Sequence, residues 1–311
     1  MNLKSIKERY ERFRQWQEKP VDYEFATDEI QHCNNCGHSF KGNYCPYCSQ
    51  KAGVGDVGWG SVKRSVMDIW GLGSRSLPNT ILQLLLRPGY LISDYISGKH
   101  QVSFPPVKML FIVAVIVVFW IYYLLPLLLG EGFDVYGGLS NELEGFGTWN
   151  KSHFVWTYFI LSLFYILPTW IMFRYSPRHT RHTLPQGFFI QIFLLVLNLV
   201  VSFIILSLLL FFFDYSYYLY ASFIVVIAYY FIAYKQLFGY GSWGTLWRLV
   251  FVLGTIIYLI TSLTFLLFGN APNSEYNKYY YAGDAAFYAL IIFALGWGIN
   301  LIATRKIRSK C

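Results

Sequence analysis

The residues best suited to chemistry are four cysteines, Cys33, Cys36, Cys45 and Cys48, in the stretch "HCNNCGHSFKGNYCPYCSQ". Two C-x2-C pairs put two thiolates on each of two tight turns, and together they complete a tetrahedral site with metal–sulfur distances of about 2.3 Å. Four sulfurs leave no open coordination position, so the expected role is structural: one Zn2+. A thioredoxin-like redox pair fits poorly, because that motif sits in a βαβ context and is not duplicated. Disulfides conflict with the reducing compartment to which the charge pattern below assigns this segment. Gly37 follows the first pair, where a left-handed turn costs glycine nothing. Ser49 stands at the equivalent place after the second pair and suits it less well. His32 and His38 flank the first pair and are expected at the surface or around the ligands. A ribbon this short cannot bury a core of its own, so metal binding must supply its folding free energy.

Nucleic acid is disfavoured as a partner. Between Gln31 and Ala52 the only fixed charges are Lys41 and Lys51, too thin a patch for phosphate-driven binding. Tyr44 and Tyr47 are expected to pack over the hairpins, leaving a protein contact or docking onto the chain itself as the ribbon's role.

The elements that position this module divide the chain at 1–30, 31–52, 53–105 and 106–311. In 1–30, Leu3, Ile6, Tyr10, Phe13 and Gln17, with Trp16 beside them, recur at helical spacing. Lys4, Lys7, Arg9, Arg12 and Arg14 against Glu8, Glu11 and Glu18 make the polar face. Such a helix either lies on an anionic leaflet or docks on its own domain. In 53–105, Val62, Val66, Ile69 and Trp70 share one helical face, and "LPNTILQLLLRPGYLISDYISGK" gives two short segments broken at Arg87, Pro88 and Gly89. Each is too short to span a bilayer, and both read as interfacial amphipathic helices.

Residues 106–311 are of a different kind. The chain of 311 residues is 55% hydrophobic and only 14% charged, with a mean hydropathy of +0.40, where soluble domains are nearer about 25% charged. Six apolar runs, near 107–129, 154–173, 188–213, 217–234, 247–268 and 285–304, approach the roughly 20 residues a membrane helix needs. The fourth is the shortest, and a re-entrant pair around 213–218 is its alternative. The fold class is therefore an all-α membrane protein with about six transmembrane helices. With both ends cytoplasmic, all 25 Lys and Arg except Lys151 and Lys278 fall inside, while Glu131, Asp134, Glu142, Glu144, Asp214, Glu275 and Asp284 fall outside, as the positive-inside rule requires. The first twenty residues lack the apolar core of a signal peptide, so the first span is expected to act as its own insertion signal.

No Lys, Arg, Asp or Glu lies mid-span, which disfavours a proton or sodium carrier. Gln191, Asn198 and Asn300 are expected to hydrogen-bond between helices, and Pro126 and Pro168 to kink theirs. The densest polar cluster near the membrane is "RYSPRHTRH", where Arg174, Arg178, His179, Arg181 and His182 could bind an anionic head group or simply anchor the inner side.

The sequences "NYCPYCSQKAG" and "TILQLLLRPGYLISDYISGKHQVSFPPVKMLF" resemble a bacterial family of polytopic membrane proteins known as domain of unknown function 3667. In that family a zinc ribbon precedes a P-G, Y-x-x-G-K and proline sequence leading into the first span. Members usually carry glycine where Ser49 stands and a basic residue where His100 stands. The resemblance covers about the first 125 residues and implies four cysteine ligands and an inner-membrane bundle, with no reaction assigned. Three functions follow as candidates: a non-enzymatic membrane protein whose ribbon recruits or regulates a cytoplasmic partner, a flippase-like carrier of a lipidic or neutral solute, and an enzyme acting on lipid head groups at the inner surface.

Overall fold

The computed structural model describes residues 3–19, 30–33, 35–42, 44–49, 76–100, 103–129, 153–178, 182–213, 215–268 and 275–309. The expected helix face at Val62, Val66, Ile69 and Trp70 lies outside these residues. The chain divides into two compact units, Met1–Leu82 with Gln101–Phe104, and Gln83–His100 with Pro105–Cys311.

In the first unit, helix α1 (Leu3–Glu18) has the expected register, and Ile6, Tyr10, Phe13 and Trp16 along its apolar face are all exposed. Phe13 stacks on Trp16 at 5.7 Å. The ribbon is an antiparallel pair, β1 (Ile30–His32) and β2 (Ser39–Lys41), with Gln31 opposite Phe40. Two strands this short have no independent stability. Phe40 turns inward and packs with Cys33 and Cys45, against which Cys48 lies.

In the second unit, five helices are long and apolar enough to cross a membrane: Pro106–Leu129, Leu184–Phe211, Tyr220–Phe238, Ser242–Thr264 and Tyr281–Ala303. The run at 154–173 is not one continuous helix. It forms α6 (Phe154–Phe164) and α7 (Ile166–Phe173), with the break at Tyr165. Pro168 explains the break, because it has no N–H to give the Phe164 carbonyl and its ring crowds that oxygen. Just beyond the break, the Thr169 hydroxyl donates to the Tyr165 and Ile166 carbonyls. Pro126 acts in the same way one helix earlier. Helix α4 (Pro106–Phe119) widens into a π-helical turn at Trp120–Leu124, where the Leu125 amide reaches the Trp120 carbonyl, before α5 (Leu125–Leu129) resumes. Helix α8 (Leu184–Asn198) also passes into a π segment, Leu199–Ile205, and a 3-10 turn, Leu206–Phe211. The Trp120 indole donates to the Ser207 hydroxyl at 2.9 Å, tying the two irregular stretches together. The remaining long helices are α9 (Tyr215–Phe238), α10 (Ser242–Phe268) and α11 (Glu275–Ala303), followed by the short α12 (Arg305–Arg308).

The two short segments around "RPG" are helices α2 (Leu77–Leu86) and α3 (Pro88–Ile96). Pro88 occupies the first turn of α3, where its missing N–H and fixed φ are an advantage. Leu91 and Ile92 are fully buried, and Tyr95 packs on Phe189, Phe193 and His100. Helix α3 is thus part of the bundle's packing, with its apolar face toward protein.

Gln191 answers the question posed by the buried amides. Its Nε2 donates to the Thr169 hydroxyl at 3.1 Å and to the Tyr234 hydroxyl at 3.0 Å, joining α7, α8 and α9. Asn198 accepts from Ser202 on its own helix. Leucine at 191 removes the bonds but keeps the bulk, so Gln191→Leu is expected to destabilise the bundle by about 1 kcal/mol, read as a lower thermal midpoint in neutral detergent. An unchanged midpoint would show that the three-helix tie contributes nothing.

Candidate functional site

The four cysteine sulfurs lie within 4.8 Å of one another and form a group that could hold a metal ion. Cys33 Sγ is 3.4 Å from Cys48 Sγ, and Cys36 Sγ is 3.6 Å from Cys45 Sγ. A tetrahedron with metal–sulfur bonds near 2.3 Å has sulfur–sulfur edges of about 3.8 Å, and a disulfide would need about 2.05 Å. The arrangement therefore matches shared coordination, and all four cysteines are free thiols.

The knuckles are built by local backbone geometry. The Gly37 amide donates to the Cys33 carbonyl and the Ser49 amide to the Cys45 carbonyl, both at 2.8 Å. Gly37 and Ser49 occupy the same left-handed region, at φ 71° and 60°. The second knuckle thus holds a serine where glycine would be unstrained. A backbone hydrogen bond at His38 favours the Cys36 thiolate, but desolvation and the three neighbouring sulfurs outweigh it and push that thiol up to about 12. Four thiolates this close need a cation in place of their protons, which couples metal binding to proton release.

His32 and His38 stand outside the sulfur group. His32 Nδ1 is 2.9 Å from the Ser39 hydroxyl, and His38 stacks on Tyr47 at 6.0 Å. The tyrosines are far less covered than packing over the hairpins would make them: Tyr47, whose ring lies against His38, is still 81% exposed and Tyr44 50%. The interior is already filled by Phe40 and the sulfurs, so the knuckle aromatics project outward.

Of the arginine–histidine loop, Arg174, Arg178 and His182 are described, while His179 and Arg181 lie outside the described residues. The Arg174 guanidinium lies over Trp170 at 4.6 Å and faces the Tyr175 ring. Arg178 donates to the Gln236 carbonyl at 2.6 Å and covers the Tyr90 ring, while its amide donates to the Phe238 carbonyl. His182 is buried against Phe238, and its carbonyl accepts from the Trp170 indole. The loop is strapped onto the end of α9. Gly89 reaches the same place, where its amide donates to Gln236 Oε1 at 3.1 Å.

Arg248 is a residue whose setting the sequence does not reveal. It reads as one of the inner charges, yet helix α10 starts at Ser242, and Arg248 lies inside it at 3% exposure. It is surrounded by Tyr240, Trp247 and Asn300. A single Arg within "SWGTLWRLV", between aromatics and an apolar run, was the available signal.

No curated protein and no solved structure matches the chain. Residues 75–118, which hold α2, α3, the "RPG" break and the start of the first long helix, match the family described as Protein of unknown function (DUF3667), the family that the sequence resembles.

Proposed function

We propose that this chain is a multi-pass inner-membrane protein of bacterial type whose cytoplasmic ribbon holds one structural zinc and presents its outer face to a protein partner. The observation that carries the reading is the ribbon's division of labour, with four sulfurs gathered inward and Tyr44 and Tyr47 turned out. Outward aromatics on a small rigid frame suit protein recognition, since Tyr gives large contact area at low entropic cost. Soft thiolates in tetrahedral array favour zinc over hard cations. The broken run 154–173 serves as a sixth span, because an odd count would carry the basic tail Arg305, Lys306, Arg308 and Lys310 outward against the positive-inside rule. Anionic lipid head groups are a second class of partner, met by Arg174, Arg178, His179, Arg181 and His182.

The test is a native mass spectrum of protein gently extracted from its own membrane, compared with a Tyr44→Ser, Tyr47→Ser double variant. One zinc with a stoichiometric polypeptide, lost in the variant while the zinc stays, is the expected result. A zinc-loaded wild type that carries a specific lipid or neutral solute and no polypeptide would replace recruitment with the carrier or head-group enzyme reading.

A further inference from the structure

Arg248 is a buried cation whose hydrogen-bond and ring partners among the described residues are all neutral. Its Nε donates to Asn300 Oδ1 at 2.9 Å and its Nη1 to the Gly244 carbonyl at 2.7 Å. Its Cζ lies 3.8 Å from the Tyr240 ring centroid and 4.3 Å from that of Trp247. A guanidinium has five N–H donors. Among the described residues, none accepts from Nη2 and no carboxylate pairs with Arg248. The contrast with Arg87 is direct: that arginine, at 4% exposure, has Asp94 at 3.9 Å.

The surroundings of Arg248 add positive charge. Asn300 Nδ2 donates to the Met172 carbonyl, and the Tyr240 hydroxyl donates to the Tyr175 carbonyl, which brings the end of α7 and its Arg174 into the same cluster. Arg174 Nε is buried with no hydrogen-bond partner among the described residues. Lys235 sits on the Ser242 hydroxyl at the adjoining turn. Asp94 is engaged by Lys99 at 3.0 Å, and Asp284 lies on α11 about 24 Å along the helix from Asn300 at 1.5 Å per residue. Carbonyls and aromatic faces ease the desolvation of one guanidinium but supply no opposite charge, and buried charges are normally paired.

We propose that Arg248, with Arg174 as the neighbouring cation, binds a phosphate-class oxyanion presented by an anionic phospholipid head group. The planar fork matches two oxygens of a phosphate, and the tryptophans Trp170 and Trp247 are suited to the interfacial depth at which such groups lie. This deepens the head-group reading of the 174–182 loop, moving its centre from the surface arginines to a buried one.

The experiment measures the thermal midpoint of the full-length protein in neutral detergent with added phosphatidylglycerol, phosphatidylcholine or inorganic phosphate. Phosphatidylglycerol is expected to raise the wild-type midpoint by about 5 °C with no matching shift from phosphatidylcholine, because only a ligand of the native state stabilises it. A shift from phosphatidylglycerol alone assigns the lipid as the source, and an equal shift from millimolar phosphate assigns the free oxyanion to the same site. Arg248→Gln should raise the half-saturating concentration at least about tenfold, Arg248→Lys should fall between, and Arg308→Gln, exposed on α12, should keep the shift. A wild type that does not distinguish the anions from phosphatidylcholine overturns the proposal whether or not the variants fold. A shift kept by Arg248→Gln but lost in Arg178→Gln also overturns it, and leaves the surface-loop reading standing. A lower baseline in Arg248→Gln with an unaltered lipid shift assigns Arg248 to structure alone.

Discussion

Replacing Cys45 by serine is expected to abolish metal binding and unfold the ribbon while the membrane bundle stays folded. Cys45 is 1% exposed and shares the ribbon's interior with Cys33 and Phe40, so its sulfur is both a ligand and part of the only packing there among the described residues. Burying one aromatic side chain contributes about 1.5–3 kcal/mol, too little to order residues 30–49, each of which loses about 1–2 kcal/mol of backbone freedom. Metal binding is what supplies the folding free energy of such small thiolate sites. Serine keeps the size but not the soft, readily ionised donor, leaving three thiolates and an open position. Elemental analysis should fall from about one zinc per chain to about zero, and hydrogen exchange over residues 30–49 should become fast without change in the long helices. Chelation of the wild type should move both readouts in the same direction. A Cys45→Ser protein that still holds its ion and its exchange protection would mean that the ribbon folds on other interactions.

The parts of this arrangement that are legible in the sequence are those whose causes are local. Cys33, Cys36, Cys45 and Cys48 come together because two short knuckles put them there, and the left-handed turns at Gly37 and Ser49 follow from the same spacing. The break at Arg87, Pro88 and Gly89 is legible because proline and its predecessor restrict the backbone. What is not legible depends on distant partners. Whether Leu91 and Ile92 face lipid or protein is decided by α8 and α9, far along the chain. The outward turn of Tyr44 and Tyr47 depends on Phe40 filling an interior too small for a second aromatic. Arg248 can be counted as an inner charge from sequence, but its burial needs Asn300, on a helix 52 residues away.

Placing alanine at Gly89 should be among the most damaging single-methyl changes in the bundle. A Cβ built there would meet the Ala233 carbonyl, lie 2.5 Å from Gln236 Cβ and lie 2.6 Å from the Leu237 amide nitrogen. Two of these atoms are backbone of α9 and cannot rotate away, so α3 would have to withdraw. Withdrawal breaks the Gly89 amide bond to Gln236 Oε1 and loosens the contacts that Leu91, Ile92 and Tyr95 make from the same helix. Opposing this, alanine in place of glycine favours a helix by about 1 kcal/mol, while overpacking a tight contact costs about 1–3 kcal/mol or more and the lost amide bond adds to it. The overpacking term wins, and Gly89→Ala should lose about 2–3 kcal/mol, with Gly89→Leu failing to accumulate. Gly283→Ala is the internal control, since nothing lies within 4 Å of its added Cβ and its midpoint should be unchanged or slightly raised. Equal thermal midpoints for Gly89→Ala and wild type would show that α3 tolerates separation from α9, and that the "RPG" break matters for some reason other than this close approach.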